Sequence, residues 1–225
     1  MIKRELIDTA WIPDGEKLEL YRHDRDFMIV LGHNELMSTR KWGSEEALAT
    51  MAYERIKGIT KRPHFLIGGY GMGFTLRAAL RTLPEDSKLT VVELVPEIIE
   101  WARGPMVDLA AGCLDDPRVR LVMDDVAHVI AAGHGSYDAI LLDVDNGPDG
   151  LTADANDRLY TNAGLSSAMR ALKPGGILAI WSAGSDAAFT RRLQNAGFAV
   201  EEVAVKARDN GKGPRHVIWF ATRRR

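Results

Sequence analysis

Acidic side chains stand where three apolar runs of this chain end. Leu89-Thr90-Val91-Val92 ends on Glu93, Arg120-Leu121-Val122-Met123 on Asp124-Asp125, and Ala139-Ile140-Leu141-Leu142 on Asp143, with Asp145 close behind. A fourth run, Phe65-Leu66-Ile67-Gly68, leads into Gly69-Tyr70-Gly71-Met72-Gly73. Carboxylates at the carboxyl ends of parallel strands, beside a glycine turn that lets a ligand approach the backbone, make a nucleoside-binding crevice. Glu93 falls twenty residues after Gly73, where a carboxylate accepts two hydrogen bonds from a ribose diol. Asp125 suits an adenine amino group, with the next backbone N–H, that of Val126, on a ring nitrogen. It equally suits the N-cap of the helix that starts there. Asp143 would face the reacting end of the ligand. There it can stabilise a cation by Coulomb attraction or orient and deprotonate an attacking amine. Asp145 and Asn146 stand at the same edge.

The glycine spacing narrows the ligand. Gly69-x-Gly71-x-Gly73 differs from the G-x-G-x-x-G of dinucleotide folds, and the turn lacks the Lys-Ser/Thr pair of a P-loop. A nucleoside without a pyrophosphate, such as S-adenosylmethionine, fits best. The six histidines have no metal-ligand spacing, no G-x-S-x-G elbow is present, and no metal is expected.

Composition sets outer limits. The chain has 225 residues, 46% hydrophobic and 27% charged, enough for one large domain or a domain with a small appendage. A net charge of −2 disfavours a nucleic-acid partner. Cys113 is the sole cysteine and sits in an apolar context, so it is expected in the core. No apolar run reaches the roughly 18 residues of a membrane span and no leader is evident, so no membrane partner and a cytoplasmic location are expected. Trp42, Trp101, Trp181 and Trp219 read as core or interface residues.

Two regions differ in pattern. Residues 1–60 carry short alternating segments, Leu18–Arg22, Asp26–Leu31 and Glu35–Ser38, which predict a small β-meander. A helix linking onward follows, with Ser44 as its cap. Residues 61–225 alternate strand and helix. Strands are predicted near 64–68, 88–93, 118–123, 137–143, 176–182, 198–205 and 215–222. Helices are predicted near 73–83, 96–112, 125–132, 160–172 and 185–196. Such alternation gives an α/β, doubly wound, mostly parallel seven-stranded sheet. The last two strands are too close for a crossover helix and must form an antiparallel hairpin.

These residues resemble the spermidine synthase, or polyamine aminopropyltransferase, family. Ile67 to Arg77 resembles its cofactor loop, a glycine run followed by Thr-Leu-Arg. Val92-Glu93-Leu94-Val95-Pro96-Glu97 is similar to its ribose segment, and Asp116-Pro117-Arg118-Val119 with Asp124-Asp125-Val126 to its adenine segment. Tyr137 to Asp143, Leu159-Tyr160 and Leu172 to Gly176 continue the likeness, which covers about residues 40–182. The resemblance implies a methyltransferase-like Rossmann domain behind a small β-domain, in a homodimer of the polyamine biosynthesis class. It implies transfer of an aminopropyl group from decarboxylated S-adenosylmethionine to a small-molecule amine. Gly69, Gly71, Gly73, Glu93, Leu94, Asp124, Asp125, Val126 and Asp143 would hold the nucleoside. Asp143 would activate the amine, helped by Asp145 and Tyr160. The family carries an aspartate where Tyr70 stands, holding the aminopropyl ammonium. It reads Asp-x-x-Asp-Pro where this chain has Asp143-Val144-Asp145-Asn146-Gly147-Pro148. An altered acceptor pocket follows. The other readings are an S-adenosylmethionine-dependent methyltransferase and a catalytically silent nucleoside-binding chain.

Overall fold

A computed structural model of the chain describes residues 4–13, 15–144, 154–207 and 213–225, with 154–156 as backbone only. The first sheet is an antiparallel meander, β1 (Glu5–Trp11), β2 (Lys17–His23), β3 (Asp26–Leu31) and β4 (Asn34–Ser38), in that spatial order. It has one strand more than the sequence pattern predicts. β1 alternates weakly and leaves Leu6 and Trp11 exposed, so its period of two is blurred. On β2 and β3 the alternation is clear: Leu18, Leu20, Ile29 and Leu31 are buried together.

Helix α1 (Gly43–Ile56) follows. Its N-cap is Trp42, and no side chain caps it. Ser44, expected as the cap, lies inside the first turn, and its hydroxyl goes to Glu45 and His216 instead.

The second sheet holds β5 (His64–Gly68), β6 (Lys88–Glu93), β7 (Val119–Met123), β8 (Tyr137–Leu142), β9 (Leu172–Ser182), β10 (Ala199–Lys206) and β11 (Arg215–Thr222). Its order is β10-β11-β9-β8-β5-β6-β7. β5 to β9 pair in parallel, and β11 pairs antiparallel with both β9 and β10, as the missing crossover requires. The covering helices are α2 (Phe74–Thr82), α3 (Pro96–Arg103), α4 (Val107–Ala110), α5 (Val126–Ala132), α6 (Asp154–Tyr160), α7 (Asn162–Ala171) and α8 (Ala187–Asn195). The helix expected over 96–112 is divided by Gly104-Pro105. The helix expected near 160–172 is α7, which Thr161 caps by accepting from Gly164 N, and α6 ahead of it is one helix more than the sequence pattern predicts. Lys173 to Gly176 form a bulge inside β9: Tyr137 pairs with Leu172 and Ala139 with Ile177.

The central strands alternate across two apolar layers. Phe65, Ile67, Ala139 and Leu141 face α1 to α3, in one cluster with the first sheet's Leu18, Leu20, Ile29 and Leu31. Leu66, Ile140 and Leu142 face α5, α7 and α8. Cys113 is buried in the first cluster, as its context predicts. No described helix is long and apolar enough to cross a membrane.

Strand β8 carries an aspartate near each end, and the one remote from the glycine turn is a structural tie. Asp138 Oδ2 accepts from the His64 backbone N–H at 2.8 Å and from Lys173 Nζ at 2.6 Å, and Asp138 is buried. Asp138→Ala should cost about 2–4 kcal/mol in urea unfolding, because a buried donor and an ammonium lose their acceptor. Nucleoside affinity of the folded protein should stay unchanged in calorimetry. A loss of affinity would show that this end of β8 also serves the site.

Candidate active site

The order of strands reverses at β5, which has β6 on one side and β8 on the other. Ligands of open α/β sheets bind at such a point, beyond the carboxyl ends of the strands. A cavity of about 270 Å³ lies there, and the apolar face of the first sheet walls it with Ile12, Leu18, Ile29, Leu31, Leu36 and Met37. Adjacent strands are about 4.8 Å apart, so the rim from β7 to β8 spans three steps, or roughly 14 Å. The acidic groups Asp124 and Asp125, Glu93 and Asp143 line the cavity from the ends of β7, β6 and β8 in turn.

Glu93 is the anchor of the rim. Its Oε2 accepts from Tyr70 N at 2.9 Å, and its Oε1 from Leu94 N at 2.8 Å and Val95 N at 3.0 Å. Burial pushes its carboxyl up, and the backbone N–H bonds pull it back. The Gly71 backbone N–H also lowers its pKa, so the protein takes up most of the roughly four acceptor sites of this carboxylate.

The glycine turn is shaped by contacts that no side chain would permit. Gly69 has φ 84°, and a Cβ there would lie 2.6 Å from the Asp143 carbonyl oxygen. Gly71 has φ 54° and lies against the Met37 thioether, whose sulfur also accepts from Met72 N at 3.1 Å. Gly69 and Gly71 line the cavity. Gly73 is not among the lining residues; it is the N-cap of α2, with the Tyr70 hydroxyl packed against its Cα. The Tyr70 ring is buried and its hydroxyl meets Cys113 Sγ at 3.5 Å, so this position sends no polar group into the cavity.

At the β7 end, Asp125 is a helix cap: its Oδ1 accepts from Ala127 N at 2.7 Å. Its Oδ2 is paired with Arg158 of α6. Asp124 is exposed, and its Oδ1 accepts from Asp125 N at 2.7 Å. Leu94 and Val126 also line the cavity.

At the β8 end, Asp143 Oδ2 accepts from Thr75 Oγ1 at 2.7 Å. Burial pushes the Asp143 carboxyl up to about 6, with the Thr75 bond opposing. A second carboxylate shares this end. Glu45, in the first turn of α1, lines the same cavity and is 6% exposed. Burial first, then repulsion from Asp143, pushes its carboxyl up to about 8. Two interacting acids of this kind hold one proton between them near neutrality. Sequence reasoning took Ser44-Glu45-Glu46 as a capping signal and missed this role. The signal was present: Glu45, Leu48, Ala49, Ala52 and Ile56 fall at one helical spacing, and all are buried. An acid on the apolar stripe of a helix needs a reason to be there.

Asp145 lies outside the described residues. Tyr160, expected beside Asp143, ends α6. It is buried in the second core cluster, edge-on to Phe189 with ring centroids 5.6 Å apart, and is not among the residues that line the cavity. A tyrosine just before a capping threonine reads alike whether its ring turns inward or toward a ligand. Among the described residues no group of three or more His, Cys, Asp or Glu side chains could hold a metal.

Residues 43–195 match the spermine/spermidine synthase domain, and the chain belongs to that family. It is 37% identical over 145 residues to a polyamine aminopropyltransferase of Mycobacterium tuberculosis, covering 60% of this chain and 27% of that one. It is 40% identical over 114 residues to putrescine N-methyltransferase 4 of Nicotiana tabacum, covering 50% and 28%. The chain thus spans little more than a quarter of the length of these relatives. A solved spermidine synthase of Thermotoga maritima superposes with a TM-score of 0.77 at 20% identity, over 98% of this chain and 74% of that one, and shows the shared fold.

The raised Glu45 carboxyl makes stability depend on pH. An acid whose pKa is higher folded than unfolded binds more protons when folded, so stability falls as pH rises between the two values. For Glu45 that window runs from about 4.3 unfolded to about 8 folded. Urea midpoints of the protein should fall from pH 5 to pH 8.5, and Glu45→Gln should flatten that fall. A variant that shifts the midpoint equally at both pH values would mean that Glu45 ionises as an ordinary surface acid.

Proposed function

We propose that this chain is a transferase that moves an aminopropyl group from decarboxylated S-adenosylmethionine to a small-molecule amine. The reading rests on the family membership, on a rim of the right length, and above all on the charge at the β8 end. Adenine would lie over β7 with Asp125 and the Val126 N–H, sharing the Asp125 carboxylate with Arg158. The ribose would meet the Glu93 carboxylate. The sulfonium arm would then reach Glu45 and Asp143.

Both of those charged side chains are acids, and among the described lining residues the one cation, Arg158, is held at Asp125. A cofactor arm ending in a carboxylate would be repelled there, whereas one ending in an ammonium would be attracted. This is the observation that favours the decarboxylated cofactor although Tyr70 stands where the family carries an acid. Transfer is an in-line displacement: the amine nitrogen attacks the carbon beside sulfur, and the C–S electron pair leaves with the neutral thioether. Catalysis is then mainly the positioning of two reactants. The Asp143 carboxylate, anchored by the Thr75 hydroxyl, orients the amine and takes its proton. An amine acceptor and a homodimeric assembly belong to the same reading.

A second reading is methyl transfer to an amine. It is favoured by the likeness to the tobacco putrescine N-methyltransferase, which spans half of this chain.

Calorimetry with S-adenosylmethionine, its decarboxylated form and methylthioadenosine separates the two. The decarboxylated form should bind more tightly than the carboxylated one, and the reverse order would favour methyl transfer. Asp143→Asn should keep nucleoside affinity within about tenfold while slowing turnover by ~10²-fold or more. Unchanged turnover would remove Asp143 from the chemistry.

A further inference from the structure

The displacement leaves a proton to dispose of. An ammonium acceptor must lose one proton before its nitrogen can attack. The product is again an ammonium, so each turnover releases one proton beside Asp143. Cofactor and amine would then fill the cavity, so the proton has no open way past them.

From Glu45, which lines the cavity, a hydrogen-bond path leads through Ser44 to His216. Ser44 Oγ lies 2.7 Å from Glu45 Oε2 and 2.9 Å from His216 Nδ1. Ser44 is fully buried, Glu45 is 6% exposed, and His216, on β11, is partly exposed. A hydroxyl has one hydrogen and can donate to only one of these neighbours at a time. In one arrangement Ser44 donates to the Glu45 carboxylate and accepts from a protonated Nδ1. In the other the Glu45 acid donates to Ser44, which donates to a bare Nδ1. The two differ by one proton moved from Glu45 to His216, with no heavy atom displaced.

We propose that Glu45, Ser44 and His216 carry the released proton from Asp143 out of the cavity, with Glu45 and Asp143 sharing it at the inner end. The proposal rests on the transferase reading above. The proton passes from the amine to Asp143, then to Glu45, through Ser44 to His216, and from the imidazole to water. No oxidant or further reactant is needed. Asp143 and Glu45 touch the reactants, while Ser44 and His216 act through Glu45.

The surrounding charges hold the proton at the inner end, so the step on to His216 runs uphill and is drawn forward by release to water. Asp143 on β8 and Glu46 on the same helix repel negative charge at Glu45, and Glu46 is itself tied to Arg81 of α2. Burial, and then Lys41 ahead of α1, lower the His216 pKa, so the imidazole rests neutral and passes a proton it receives readily to water. Trp181 of β9 packs edge-on to His216 at 4.7 Å, and Glu201 on β10 is paired with Arg55 of α1.

Two measurements test the path, one of them independent of turnover. Infrared spectra at neutral pH should show a protonated carboxyl that disappears in Glu45→Gln; no such band, or an unchanged one in the variant, overturns the shared proton. In steady-state assays His216→Ala and Ser44→Ala should lower kcat about tenfold or more, with both KM values within twofold. Added imidazole should restore the His216→Ala rate but not the Ser44→Ala rate, which a purely structural role would not produce. Glu45→Gln should leave the acid limb of the pH profile in place, because the first ionisation of the pair meets no like charge. Full kcat in both relay variants, or no response to imidazole, overturns the route while leaving the transferase reading intact. A protein that shows the infrared band yet turns over no amine loses the transferase reading and the route with it, and keeps the shared proton.

Discussion

A carboxylate taken out of water must find its hydrogen bonds inside the protein, and the rim of this sheet is organised around one that does. Glu93 ends β6 buried, and three backbone N–H groups replace its water. Two of them belong to the turn that leads into α3 and one to the glycine turn after β5. The same side chain therefore fixes two loops against each other and lines the cavity. Once Glu93 holds the glycine turn, Gly69 lies against the Asp143 carbonyl and Gly71 against Met37, which ties β8 and the first sheet to the same point. The cavity's floor, its β8 end and its roof are thus set by one group of backbone contacts.

The roof explains why the first sheet shares a core with the second. A four-stranded meander has one apolar face to bury and little core of its own. Here Leu18, Ile29 and Leu31 are buried and also line the cavity, while Trp101 of α3 reaches back to donate to Asp8 of β1 at 2.8 Å. A ligand lying between the two sheets would find polar groups along the second and an apolar cover over it. That combination fixes a ligand's orientation and excludes water.

The parallel sheet was legible because its strands are apolar on both faces and each ends in a recognisable turn or acid. The antiparallel hairpin followed from chain length alone. What escaped the sequence depended on contacts remote in the chain. β1 is held by pairing with β2 and not by its own pattern. Ser44 lost its capping role because His216, 172 residues away, offers its hydroxyl a partner. Tyr160 sits beside a genuine cap at Thr161, and only the neighbouring Phe189 shows that its ring faces the core. For the nucleoside, local sequence sufficed, because strand ends carry the rim and each end is a short segment. For the reacting end it did not, because Glu45 reaches the cavity from a helix that precedes the glycine turn.

Glu45 also changes what the loss of an acid at position 70 means. Tyr70 turns into the core toward Cys113, so negative charge is missing from the glycine turn itself. The β8 end is nonetheless doubly acidic, because α1 supplies a second carboxylate, Glu45, to the same cavity. Two acids in one dry pocket cannot both ionise cheaply, so the pair answers to whatever cation enters. An incoming ammonium or sulfonium favours full ionisation and drives the shared proton off, whereas an uncharged or anionic group leaves it in place. Charge state and occupancy are therefore coupled at this end, and the coupling comes from where α1 packs rather than from any motif along the chain.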